Sequence, residues 1–242
     1  MKGEIPKVRT FYVTDIHGNF NAFTSLLEHV NFEPAKDRLI IGGDMINRGL
    51  KSADVLHWIK ERSRSYPDNI HIIVGNHEEM MIWFMKEISP MWMEFGGEET
   101  IKSFKDKYGS EKAWDIAEEY AAWFETLPLL YEDEYGIYVH AGIDIHQGKD
   151  RQPRNILWMN NRELSIIDNL ELTDWSNHKY IFRGHNPQSN VQPAGRFINC
   201  DLGSSVFADN SAALALVEVT ERRYYKCTMD GDITLHEIVG MR

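Results

Sequence analysis

Residues 71–83 read HIIVGNHEEMMIW, and they set the reading of the whole chain. Ile72-Ile73-Val74 is a short β-branched apolar run of the kind that forms a buried strand. Gly75 then breaks it, and the apolar residues from Met80 onward return at helical spacing, which predicts a helix over Glu78 to Glu87. A turn between the two needs the glycine, but turn chemistry does not ask for an amide, an imidazole and a carboxylate in succession at Asn76, His77 and Glu78. The stretch therefore reads as strand, functional loop, helix.

The same unit occurs twice upstream. Val8 to Thr14 is a strand that stops at Asp15, and Phe20, Phe23, Leu26, Leu27 and Val30 mark one helical face. Arg38 to Ile41 is a strand ending in Gly42-Gly43-Asp44, and Ser52 to Arg64 is a helix with Ala53, Leu56 and Ile59 together. Strands alternating with helices imply parallel pairing with crossover helices, because parallel neighbours cannot be joined by a tight turn. Ligand sites in such sheets lie beyond the carboxyl ends of the strands, so the three polar loops should converge.

Residues 86–126 are acidic, rich in Trp and Met, and helical in pattern, with Gly96-Gly97 separating two stretches; this reads as a helical cap or insert whose aromatic residues are packing. Short strands follow at Ile137–His140, Tyr180–Phe182, Arg196–Cys200, Ala212–Val219 and Arg223–Cys227, economically read as a second sheet packed on the first. No composition shift marks a linker, so one domain over 1–242 is expected.

Charge and composition exclude several classes. A net charge of -11, with 26 Lys and Arg against 37 Asp and Glu, leaves no basic face for a phosphate backbone. No nucleic-acid partner is expected. The first residues, MKGEIPKVRTFYV, lack the apolar run of a secretory signal, and no run is long enough to span a membrane, so the expectation is a cytoplasmic, soluble chain, monomeric by default. The two cysteines, Cys200 and Cys227, have no metal-finger spacing and read as reduced core thiols.

Collected by position, the loops at strand ends read Asp15-Ile16-His17-Gly18, Gly43-Asp44-Met45-Ile46-Asn47-Arg48-Gly49, Gly75-Asn76-His77-Glu78, His140-Ala141-Gly142 and Gly184-His185. Taken alone, each fits a cap or a turn. Their recurrence in order at successive strand ends points to one site. Carboxylate, imidazole and amide oxygen together suit a borderline-hard divalent ion such as Mn²⁺, Fe²⁺ or Zn²⁺, whereas Ca²⁺ takes oxygen alone.

This ordered set resembles the metallophosphoesterase (calcineurin-like) superfamily, and within it the bacterial and bacteriophage-type serine/threonine protein phosphatases. GNHEEMM, WMEFGGEETIKSF at 92–104, FETLPLLYEDEYGIYVHAG at 124–142, ILW at 156–158, GHNP at 184–187 and INCDLGSS at 198–205 extend the resemblance over Val8 to about Val219. It implies an α/β fold, a two-layer mixed β-sandwich flanked by helices, with a dinuclear metal centre. Asp15 and His17 would hold the first ion, Asp44 would bridge, and Asn76, His140 and His185 would complete the second. A hydroxide between the metals would attack phosphorus, His77 would protonate the leaving alkoxide, and Arg48 would grip phosphate oxygens. Glu78 is read as structural, closing its loop and favouring the helix N-terminus. The expected activity is a serine/threonine, possibly dual-specificity, phosphatase acting on phosphoprotein or phosphorylated small molecules.

Two departures stand out. The family motif Gly-Asp-x-x-Asp-Arg-Gly has Asn47 in place of its second Asp, so an amide that can accept a hydrogen bond but carries no charge would stand behind His77. Related phosphatases also place an Arg two residues after the Trp, where this chain has Asn160; Arg162 is the substitute candidate for a second phosphate clamp, and Arg154 lies on the other side. Symmetrical dinucleoside tetraphosphate hydrolases also lack that Asp, which makes them the alternative. A metal-binding interaction protein of weak activity, using the acidic insert as its surface, is the third reading.

Overall fold

The computed structural model describes residues 8–206 and 211–241. The reading of the extreme N-terminus lies largely outside them. Among the described residues, eleven strands form two sheets. In the first, β1 (Thr10–Val13), β2 (Arg38–Ile41) and β3 (Ile70–Ile72) are parallel, joined by α1 (Phe20–His29) and α2 (Ser52–Ser65). In the second, β4 (Leu130–Glu132), β5 (Gly136–Val139), β6 (Tyr180–Arg183), β7 (Gln192–Ala194) and β8 (Phe197–Asn199) run in the order β4-β5-β6-β8-β7.

The strands at 212–219 and 223–227 do not belong to the second sheet: β9 (Ala213–Glu218), β10 (Arg223–Thr228) and a further strand β11 (Ile233–Glu237) extend the first, giving the order β11-β10-β9-β1-β2-β3. β9 pairs antiparallel with β1, Tyr12 facing Val217. Each of its faces has a layer to meet, so it reads as a continuous apolar run in which local pattern cannot name the sheet.

Alternation within the strands shows how the layers are held. Phe11 and Val13 of β1, Leu39 and Ile41 of β2 and Leu214 and Leu216 of β9 join the core against the helices. Tyr12, Ile40, Ala213, Ala215 and Val217 point the other way, into the core shared with Tyr138, Phe182 and Ile198 of the second sheet. Side chains of period two thus feed two cores from one strand. The Tyr12 hydroxyl donates to the Val139 carbonyl at 2.9 Å across the sandwich.

The insert is not an appended cap. After α3 (Asn76–Met85), a kinked turn at Met93–Gly97 leads into α4 (Glu98–Tyr108) and α5 (Ala113–Glu125). Ile101, Phe104, Ala117, Tyr120 and Phe124 belong to the same core as α1 and α2. Helical geometry breaks at Phe95-Gly96, where Gly96 has a φ of +99°, just before α4, and again at Gly109 between α4 and α5. α6 (Asn161–Ser165) and α7 (Asn169–Trp175) cover the outer face of the second sheet. Among the described residues, no helix is long and apolar enough to cross a membrane.

Candidate metal centre

All five ligand loops follow the carboxyl end of a parallel strand. Asp15 comes after β1, Asp44 after β2, Asn76 after β3, His140 after β5 and His185 after β6, and they meet at one edge of the sandwich. Sharp exits are needed to aim side chains back over the strand ends. Asp15, His17, Asp44, Asn47, Arg48 and His185 all hold positive φ, between 45° and 71°. Non-glycine residues adopt that region at a cost of about 1 kcal/mol or more, so surrounding contacts must enforce it. At Gly43, φ is +87° and a Cβ would lie 2.5 Å from the Gly75 nitrogen, so no larger residue fits where the β2 and β3 loops touch.

Glu78 ties these loops together. Its carboxylate accepts from the backbone N–H of Asp44 at 2.8 Å, of Met45 at 2.8 Å and of Gly75 at 2.9 Å. Because it reaches back to Gly75, the helix begins at Asn76 and not at Glu78. Asn76 and His77 therefore occupy its first turn, where the backbone is fixed. Full burial, helped by the nearby Asp44 carboxylate, pushes the Glu78 carboxyl up to about 7.

Around this frame, candidate ligand atoms come within coordination reach of one another. His17 Nε2 lies 3.6 Å from Asp44 Oδ2 and 4.0 Å from Asp15 Oδ1. His140 Nε2 is 3.4 Å from Asp44 Oδ1 and 2.9 Å from Asn76 Oδ1, and His185 Nδ1 is 3.1 Å from Asn76 Oδ1. Atoms bound to one ion at about 2.1 Å in adjacent positions sit ~3 Å apart, so these spacings fit shared ions. Two groups emerge, His17-Asp44-His77 and Asp44-His140-His185, with Asp44 common to both. The imidazoles are also prepared as ligands. His17 Nδ1 faces the Ile46 carbonyl and His140 Nδ1 the Gly42 carbonyl, each at 2.9 Å, which assigns the proton to Nδ1 and leaves Nε2 as the donor atom.

Electrostatics point the same way. Burial drives His17 and His77 well below the usual imidazole range, and His185 down to about 4. Burial and the facing Asp15 carboxylate push Asp44 up. Neutral imidazoles around carboxylates that repel each other form a donor set that cations would stabilise, and the residues present fit two of them.

Asn47 lies behind His77, with its Nδ2 2.7 Å from His77 Nδ1. Its Oδ1 accepts from Trp92 Nε1 at 2.8 Å and from the Thr100 hydroxyl at 2.8 Å, and Thr100 Oγ1 accepts from the Asn47 N–H at 3.0 Å. An indole N–H only donates, so the atom facing it must be the amide oxygen. The amide nitrogen consequently donates to His77. Asn47 does not accept from the histidine, as position alone suggests; it fixes the neutral imidazole with its proton on Nε2, so His77 stands beside the first ion position as a donor of hydrogen bonds and is not one of its ligands.

Arg48 lines the same cleft, with Nη1 2.6 Å from His17 Nε2. Arg162 does not join it. Asn160 caps α6 through the Arg162 and Glu163 N–H groups, and Glu163 closes a capping box, which turns Arg162 to solvent. Arg154 is committed to Glu79 of α3. Sequence reasoning missed Trp92 and Thr100, whose residue types look like ordinary helix packing. It also treated Trp158 only as a landmark. Trp158 stacks on Trp83 at 4.9 Å and, with Met80, Met91, Phe95 and Val206, walls a cleft of about 400 Å³ over the ligands.

Residues 8–218 match the family model described as calcineurin-like phosphoesterase. The chain belongs to that family. Curated relatives of this phosphoesterase include the symmetrical bis(5'-nucleosyl)-tetraphosphatases of Vibrio campbellii, 32% identical over 136 residues, and of Shigella dysenteriae, 31% identical over 147 residues. Those matches cover 55% and 58% of this chain but 44% and 47% of the relatives, so the matched part is under half of their length. Among solved structures, a serine/threonine protein phosphatase from Saccharomyces cerevisiae is 18% identical, with 99% of this chain and 83% of that one covered at a TM-score of 0.67. A cold-active protein-tyrosine phosphatase of a Shewanella species is 15% identical, covering 95% and 80% at 0.62. At such identity these two structures speak for the fold alone.

Proposed function

We propose that this phosphoesterase hydrolyses phosphoanhydrides of the dinucleoside polyphosphate class in preference to alkyl phosphoesters. The observation that carries this reading is the direction of the Asn47 amide, which donates to His77 Nδ1. A carboxylate at that position would accept from Nδ1–H and favour the imidazolium, an acid able to protonate a departing alkoxide. His77 held neutral still has Nε2–H to donate as a hydrogen bond, but giving that proton away would leave an imidazolate. A serine or threonine alkoxide needs the acid. A phosphate leaving from an anhydride departs as a stabilised anion and does not.

The remaining residues supply binding and orientation. Divalent ions at this centre supply Lewis acidity and lower the pKa of water. Arg48, at the rim of the same cleft, donates through Nη1 to His17 Nε2; an ion taking that nitrogen would release the guanidinium, whose two parallel donors suit the non-bridging phosphoryl oxygens. The wall of Trp158, Phe95, Met91 and Met80 offers flat apolar surface beside them, which matches a nucleobase better than an extended peptide. The curated tetraphosphatase relatives support the same reading, although the phosphoprotein activity expected from the sequence resemblance competes with it.

The deciding experiment compares kcat/KM of the Mn²⁺-loaded protein on diadenosine tetraphosphate, a phosphoserine peptide and a phosphotyrosine peptide. The expected result is at least about a tenfold preference for the dinucleotide, the change associated with one pKa unit of leaving-group assistance. An equal preference for a phosphopeptide would overturn the proposal and restore the protein phosphatase reading.

A further inference from the structure

On the far side of the His185 loop lies a second cavity, of about 170 Å³, that shares no lining residue with the metal cleft. Its polar lining is Arg183, Asn161, Ser165, Gln188, Gln192 and Asn199, and it contains no acidic side chain. In a chain with 37 Asp and Glu against 26 Lys and Arg, an acid-free polar cavity built on an arginine is unusual.

Arg183 itself is the one buried arginine among the described residues, at 4% exposure. Arg9, Arg38, Arg154 and Arg223 each have a carboxylate within 4 Å, at Asp37, Asp133, Glu79 and Glu218. Arg183 has none. Its guanidinium donates instead to neutral oxygens, the Gly184 carbonyl at 3.0 Å, Asn186 Oδ1 at 3.1 Å and Asn161 Oδ1. Three acceptors serve five N–H donors, and Nε has no partner. A buried guanidinium is stable when its charge is paired and its donors are filled, and planar oxyanions do both at once through two parallel bonds.

We propose that Arg183 is the base of a second binding site, which takes a small oxyanion, a carboxylate or a phosphoryl group, in the cavity bordered by α6, β7 and β8. Asn161 sits exposed at the rim and already presents an oxygen to the guanidinium, so it is the group an incoming anion displaces. Gln188 Nε2 is spent on the Asn199 carbonyl at 2.8 Å, which holds that wall in place. The site stands whatever the substrate of the metal centre.

The test follows the Arg183 Nε–Hε signal and the side-chain amide of Gln192 by NMR in protein loaded with diamagnetic Zn²⁺. Inorganic phosphate and acetate are titrated separately at constant ionic strength against chloride. Saturable shifts of both signals with either anion support the site, and the anion that saturates first names its chemistry. Asn161→Asp places a carboxylate where the ligand oxygens belong, on an exposed rim that tolerates it. It should weaken anion binding at Arg183 at least tenfold while p-nitrophenyl phosphate turnover, which reads the metal centre, is kept. Unmoved Arg183 signals with both anions, or binding by Asn161→Asp equal to that of the natural chain, would leave Arg183 a structural residue only.

Discussion

The two flanks of the metal centre are built to different standards. On the first-sheet side, Asp15, His17, Asp44, Asn76 and His77 are all 6% exposed or less, and Glu78 binds their loops through three backbone N–H groups. On the second-sheet side, His140 is fully buried as well, but His185 is half-buried, the segment after Trp158 carries no arginine into the cleft, and apolar side chains stand where a second phosphate clamp is expected. The difference teaches that holding metal and selecting substrate are separable here. The buried part of the centre, His140 included, carries most of the candidate ligands of a generic phosphoesterase, and the rim beyond His185, together with position 47, is where this chain departs from the pattern.

The sharpest break of that contrast is Asp44→Asn. Asp44 belongs to both ligand groups, so its loss should remove metal from both positions. Turnover should fall by about 10³-fold, since bound metal contributes several kcal/mol to the transition state. Metal analysis with an unchanged circular dichroism spectrum checks it.

Glu78 gives the next largest effect, in stability. Its folded-state pKa stands at about 7 against 4.5 ordinarily, so between those values the unfolded chain binds fewer protons than the folded one. Metal-free protein should therefore lose stability as pH rises from about 4.5 to about 7, by up to roughly 3 kcal/mol, and level off above. Denaturant melts of Glu78→Gln should lack that slope.

Position 47 sharpens the chemical half of the comparison. In Asn47→Asp, one carboxylate oxygen can keep Trp92 and Thr100 while the other accepts from His77 Nδ1–H. Turnover of a phosphoserine peptide at neutral pH should rise about tenfold. Trp92→Phe keeps the ring and removes one donor. Releasing a hydrogen bond worth about 1 kcal/mol lets the amide rotate, and the ratio of alkyl ester to anhydride hydrolysis should rise roughly fivefold. Smallest is Arg162→Ala, on an exposed position outside the cleft, expected to stay within about twofold in kcat/KM on either substrate. A tenfold loss there would mean the second flank reorganises around substrate.

How much of this could be read from the chain follows the range of the interactions. The ligand loops were legible because each stands directly after an apolar run, and strand and loop are local. That α3 starts at Asn76 was not, since it depends on Glu78 reaching back across the turn to Gly75. Nor was the sheet membership of β9 and β10, which is settled by β9 pairing with β1, about 200 residues away in sequence, and β10 in turn with β9. The direction of the Asn47 amide is the extreme case. The residue was conspicuous, but its hydrogen-bond polarity is decided by an indole and a hydroxyl 45 and 53 residues further on. Position 162 failed for a local reason: an Asn160-Glu163 capping box fixes where the new helix starts and so which way Arg162 points.

The His185 N–H donates to the Asp15 carboxylate at 3.1 Å, joining loops 170 residues apart. The centre is thus divided between the beginning and the later part of the polypeptide, and neither portion owns it. During synthesis, a ribosome that has delivered Asp15, His17, Asp44 and Asn76 has produced four of the six candidate ligands but no complete pair of ion positions until His185 has emerged and β6 has docked. Catalytic competence therefore arrives late and all together, a property that keeps a half-made chain from acting on phosphorylated molecules before its fold is closed.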